Sequence, residues 1–83
     1  MKEIAYSKQA VTALRRMPGT DARRIMAKIS QFAEDPASLA NNVKVLSGSP
    51  YLRLRVGDWR VIMDDQGRVL EILKIAARGG VYE

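Results

Sequence analysis

Arg53, Arg55, Arg60 and Arg78, together with Tyr51 and Tyr82, are the residues whose types suit chemistry on a phosphodiester. A guanidinium fork binds phosphate bidentately, and several together stabilise the charge that grows on a phosphorane-like transition state. Tyrosine stacks on a base or, where surrounding guanidiniums depress its pKa, takes up a proton. Together these groups suit RNA cleavage without a metal, in which the neighbouring 2′-OH attacks the scissile phosphate. The same residues also read as ordinary surface arginines on a strand and two interfacial tyrosines.

Most of them lie on or beside one stretch, Tyr51 to Met63, YLRLRVGDWRVIM. Leu52, Leu54 and Val56 alternate with Tyr51, Arg53 and Arg55, the period of a half-buried strand. Gly57-Asp58 predicts a two-residue type II′ hairpin turn, after which Trp59, Val61 and Met63 resume the apolar side. This register sets Val56 against Trp59 and Arg55 against Arg60. Like charges directly opposite each other are destabilising, so the two guanidiniums either splay into water or await an anion.

The rest of the chain must present that hairpin. Ile4 and Tyr6 mark a short strand able to join a sheet formed later. Ser7 caps a helix with Ala10, Val11, Leu14 and Met17 on its apolar side, ended by Pro18-Gly19. Thr20 is expected to cap a second helix whose buried stripe is Ala22, Ile25, Met26, Ile29, Phe32 and Ala33, and Pro36 limits it. The short link predicts an antiparallel helical hairpin with Arg15, Arg16, Arg23, Arg24 and Lys28 on its solvent side. These cations read either as a solvated helix face or as a surface that contacts a phosphate backbone. Ala37 to Asn42 reads as a loop or one further helical turn. Val43 to Leu46 can start a strand, and SGSP at 47–50 breaks it. Asp64-Asp65-Gln66-Gly67 supplies a second turn before Val69 to Ile75, whose apolar run predicts a strand covered on both faces. The expected fold is α+β: an N-terminal strand, a helical hairpin, then an antiparallel sheet of three to four strands with one partly open face.

Composition narrows the chemistry. At 83 residues and 47% hydrophobic side chains, the chain is expected to form one domain over residues 1–83. The net charge of +5 favours a polyanionic partner. Cys and His are both absent, which removes thiolate sites, the usual general base and the commonest transition-metal ligand. Asp64-Asp65 reads as a turn former rather than a metal site, and Gly79-Gly80 lacks the lysine and helix of a phosphate loop. No metal and no cofactor is expected. No apolar run approaches the roughly 20 residues of a membrane span, and the start has no signal-peptide core, so a cytoplasmic location is expected.

RVGDWRVI, a following hydrophobic strand and the ending IAARGGVYE resemble the RelE/ParE superfamily of bacterial toxins from type II toxin-antitoxin modules. The resemblance covers essentially the whole chain. It implies either a RelE-like endoribonuclease that enters the ribosomal A site and cuts mRNA, inhibiting translation, or a ParE-like inhibitor of DNA gyrase without nuclease activity. On motif position Arg60 matches the catalytic arginine after the hairpin, while Arg78 and Tyr82 match the terminal arginine and tyrosine. Arg53 and Arg55 fall at basic positions of the preceding strand. Tyr51, Arg15, Arg16, Arg23, Arg24 and Lys28 join them as expected RNA contacts. Ala77 stands where relatives commonly carry His or Lys, and Tyr51 and Arg53 stand where the best-known RelE pattern has lysines. Arginine stays protonated, so Tyr82 is the expected base unless positioning and charge stabilisation dominate. The implied partners are a cognate antitoxin, forming a hetero-oligomer, and the ribosome with its mRNA.

Overall fold

Ser7 turns the chain from its first strand into its first helix. Its hydroxyl accepts from Ala10 N at 3.0 Å, the expected N-cap, and donates to Leu73 O at 2.7 Å. One side chain thus fixes the helix start and ties it to the sheet. The computed structural model describes residues 2–78, so Tyr82 and the Gly79-Gly80 pair lie outside the described residues.

The elements in order are β1 (Glu3–Tyr6), α1 (Lys8–Arg16), α2 (Gly19–Glu34), a 3-10 segment (Pro36–Asn42), β2 (Val43–Val45), β3 (Leu52–Val56), β4 (Trp59–Asp65) and β5 (Val69–Ala77). The sheet has five strands in the order β1-β5-β4-β3-β2. Strands β2 to β5 form the antiparallel meander expected. β1 adds to β5 in parallel, making the sheet mixed.

Beyond Tyr6 the β5 edge is continued by a side chain. Gln9 donates through Nε2 to Ile75 O at 3.1 Å and accepts from Ile75 N at 2.9 Å. Its amide reproduces one residue of strand pairing. Gln9→Ala leaves both Ile75 groups unpartnered in a part-buried place, and we expect it to lower stability by about 1–2 kcal/mol, read by urea denaturation. No change in the midpoint would mean that water replaces the amide freely.

Both helices lie on one sheet face. Ala10, Ile25, Ile29, Phe32 and Ala33 meet Leu54, Val56, Val61, Met63, Leu70, Ile72 and Ile75 in the core. Trp59 packs partly buried against it, and its indole Nε1 donates to Asp21 Oδ2 at 3.2 Å. Asp21 sits in the first turn of α2, where a carboxylate also suits the helix dipole. This bond joins the hairpin strand to the helix above it.

Several expectations change. The second helix begins at Gly19 with Pro18 at the N-cap, not at Thr20; the fixed φ of Pro18, −56°, already sets the entry, and Ala22 N bonds Pro18 O at 3.0 Å. Met26 is 44% exposed because the stripe centres on Ile25, Ile29 and Phe32, leaving it one step around the helix. β5 is less thoroughly covered than its apolar run suggests. A bulge between the Ile62–Lys74 and Met63–Ile72 pairs leaves Leu73 unpaired. Leu73 and Ala76 then pack with Ile62 under Leu46 on the far face, a small cluster beside the exposed Lys74.

The second turn is shorter than expected: Asp64 and Asp65 end β4, paired with Glu71 and Leu70, and the chain reverses over Gln66, Gly67 and Arg68. Asp65 Oδ1 accepts from Gly67 N at 3.0 Å and lies 3.5 Å from Lys2 Nζ.

Candidate nucleic-acid interface

The hairpin has the expected register. Val56 faces Trp59 and Arg55 faces Arg60, with Arg53 opposite Ile62. Gly57 has φ 58° and Asp58 has no positive φ, in keeping with a type II′ turn led by glycine.

On the neighbouring edge, Lys44 of β2 pairs with Arg53. The face away from the helices therefore carries a row of Lys44, Arg53, Ile62 and Lys74, and beside it a row of Arg55, Arg60 and Ala76. Asn41, Asn42, Val43, Lys44, Arg53, Arg55 and Arg60 line a cleft of about 220 Å³. It lies below the roughly 300–1,000 Å³ of drug-sized pockets, a size for a phosphate and its immediate neighbours. Among the described residues its lining includes four cations and no carboxylate.

Arg60 resolves part of the like-charge problem posed by its register. Its Nη1 donates to Gly57 O at 2.9 Å and to Trp59 O at 3.0 Å, so turn carbonyls fix the guanidinium. The remaining N–H groups stay available to a ligand. Among the described residues none of the four cations has a carboxylate within ion-pair distance. Such a group, unbalanced and concave, is an attractive site for an anion.

The other candidates occupy different places. Arg78 is exposed, and its backbone N donates to Asp58 O at 2.7 Å, which brings the start of the terminal motif against the hairpin turn. Tyr51 is exposed at 37% just before β3. Arg15, Arg16 and Arg23 are exposed on the helical layer, across the sheet from the cleft, and half-buried Lys28 donates to Gln31 Oε1 at 3.4 Å. Arg24 bridges the two sides: its Nη1 lies 3.1 Å from where a Cβ on Gly57 would stand. The helical cations and the cleft are thus two surfaces that meet at the hairpin tip. Tyr6, on the opposite sheet edge, has its phenol pKa raised by burial, the wrong direction for a base. No cluster of three or more potential metal-ligating side chains occurs among the described residues.

Lys44, Asn41 and Asn42 were not apparent as site residues from the sequence. A usable signal existed. Val43-Lys44-Val45 alternates, and the SGSP break implies an antiparallel return into Leu52; closing that hairpin at Leu46 N to Tyr51 O, 3.0 Å, sets Lys44 across from Arg53.

The fold, a five-stranded mixed sheet under a helical hairpin, is similar to that of several solved toxins. The archaeal RelE in its complex with RelB from Pyrococcus horikoshii OT3 is 29% identical, with a TM-score of 0.78 over 95% of this chain and 97% of that one. The toxin-antitoxin complex RelB-RelE from Methanococcus jannaschii matches at 22% identity and a TM-score of 0.71, over 88% of each chain. The isolated E. coli RelE toxin matches in fold at 13% identity and a TM-score of 0.76, over 94% of this chain and 85% of that one. No curated protein matches by sequence. Residues 4–82 match the family model of the ParE toxin of type II toxin-antitoxin systems, parDE. The chain belongs to that family, within the RelE/ParE superfamily, and its structure is RelE-like.

Proposed function

We propose that this toxin is a metal-independent endoribonuclease that cuts mRNA on the ribosome and so inhibits translation. The observation that carries the proposal is the cleft lined by Lys44, Arg53, Arg55 and Arg60, with no carboxylate among the described residues of its lining. Guanidiniums held at a phosphate favour the extra negative charge of the transition state over that of the ground state, which is what accelerates the step. Arg60, fixed by two carbonyls, is the preorganised member. Arg78 adds a second fork from beside the turn, and Tyr82 accepts the 2′-OH proton. Arg53 and Arg55 hold the RNA backbone, and the exposed Tyr51 stacks on a base. Arg15, Arg16, Arg23, Arg24 and Lys28 contact ribosomal RNA. An antitoxin neutralises the protein by covering the basic face, as a hetero-oligomer in the cytoplasm; the RelE–RelB complexes of similar fold support such a partner.

Inhibition of DNA gyrase is the second reading, favoured by the match to the ParE family model. A translation extract programmed with a defined message separates the two. Ribosome-dependent cuts in the message are expected; intact message together with inhibited gyrase supercoiling overturns the endoribonuclease.

A further inference from the structure

Phosphodiester cleavage by a 2′-OH needs two proton transfers, and the motif residues supply an acceptor for only one. When the 2′-oxygen bonds to phosphorus, the P–O5′ bond breaks and the departing 5′-oxygen carries negative charge. It is a poor leaving group until a proton reaches it. The arginines of the cleft bind that charge but do not release protons, because a guanidinium stays protonated in proteins. Among the described residues lining the cleft, Lys44 alone has a side chain with a transferable proton.

We propose that Lys44 is a catalytic residue, the general acid that protonates the 5′-oxygen. This rests on the endoribonuclease reading above. The balance closes with the base of that reading. The 2′-oxygen forms its bond to phosphorus as its proton passes to Tyr82, the P–O5′ bond breaks, and an Nζ proton of Lys44 passes to the 5′-oxygen. The products are a 2′,3′-cyclic phosphate and a 5′-hydroxyl.

The placement supports the role. Lys44 enters the cleft from β2 directly across from Arg53, and Arg55 and Arg60 form the next row. A phosphate gripped by those forks therefore lies beside the ammonium. β2 is the edge strand, and Lys44 is exposed, so the flexible side chain can follow the leaving oxygen.

The test compares wild type, Lys44→Ala and Lys44→Arg on ribosomes carrying either an ordinary mRNA or one with sulfur replacing the bridging 5′-oxygen at the cut linkage. A thiolate departs without protonation, so it bypasses a general acid. On ordinary mRNA both variants are expected to cut about 10²-fold more slowly than wild type. On the sulfur-bridged mRNA Lys44→Arg, which keeps the charge, should recover most of the wild-type rate, and Lys44→Ala should lose far less than it does on ordinary mRNA. Thermal unfolding of the variants, unchanged for an exposed edge residue, confirms the fold. Full activity of Lys44→Arg on ordinary mRNA would reduce Lys44 to a phosphate contact and overturn the proposal, as would equal losses on both substrates. Failure of wild type to cut either message overturns the endoribonuclease reading itself, and the Lys44 role with it.

Discussion

Arg60→Ala lowers ribosome-dependent cleavage by about 10²- to 10³-fold while the protein still melts cooperatively, the loss typical of removing one preorganised donor to a developing charge. The expectation rests on how the side chain is held. Two carbonyls, Gly57 O and Trp59 O, fix Nη1, so the fork meets its phosphate without first losing rotamer freedom. Neither bond supports the core. Arg60 lies on the face opposite the helices, and its loss frees the exposed Gly57 carbonyl and the part-buried Trp59 carbonyl. Stability should fall by no more than about 1 kcal/mol, the net worth of such hydrogen bonds. Removing a cation from beside Arg55 also relieves repulsion across the ladder. Arg60→Lys should recover only part of the activity, since an ammonium carries the charge but cannot grip bidentately. Single-turnover cleavage and a melting curve on the same preparations decide the matter. Lost folding would mean that Arg60 holds the hairpin together, and full cleavage by Arg60→Ala would move the chemistry elsewhere.

The site was legible in proportion to how local its parts are. Gly57-Asp58 and the alternation around it give the Arg55–Arg60 register directly, because a two-residue turn leaves one pairing of the strands. The Ser7 cap was legible for the same reason. Met26 was not, because its neighbours Ile25 and Ile29 satisfy the helical period equally well and only the sheet beneath decides where the stripe is centred. The start of the second helix was obscured by Thr20, a good cap made unnecessary by the backbone of Pro18. Lys44 is the instructive omission. It lies nine residues from Arg53 in sequence, across a break that local reading treats as an end, yet the β2–β3 pairing makes them direct neighbours. The arginines of the helical hairpin show the reverse. They share a sign and a composition with the cleft, and the sheet separates most of them from it. Arg24 is the exception, its Nη1 reaching the hairpin turn at Gly57.

That turn connects the two surfaces, and Gly57→Val should damage stability and cleavage together. Gly57 sits at φ 58°, where a β-branched residue is strained by about 1–3 kcal/mol. A Cβ there would also stand 3.1 Å from Arg24 Nη1; that contact is cheap to relieve, because it involves the end of a long side chain. Backbone strain is therefore the larger effect, and the turn relaxes by shifting its carbonyls. Gly57 O holds the Arg60 guanidinium, and Asp58 O holds the backbone of Arg78 at 2.7 Å. Moving both forks by even an ångström is expected to slow cleavage by about 10²-fold. Gly67→Ala provides the control. Gly67 also has a positive φ, 90°, with nothing within 4 Å of an added Cβ, and its turn lies between β4 and β5 rather than beside the cleft. It should lose stability comparably and keep its cleavage rate per folded molecule. If Gly57→Val unfolds more easily yet cleaves as fast as Gly67→Ala, the turn serves the fold alone and the forks are held by other contacts. If only Gly57→Val is slowed, the glycine that permits the hairpin also sets the geometry of its arginines.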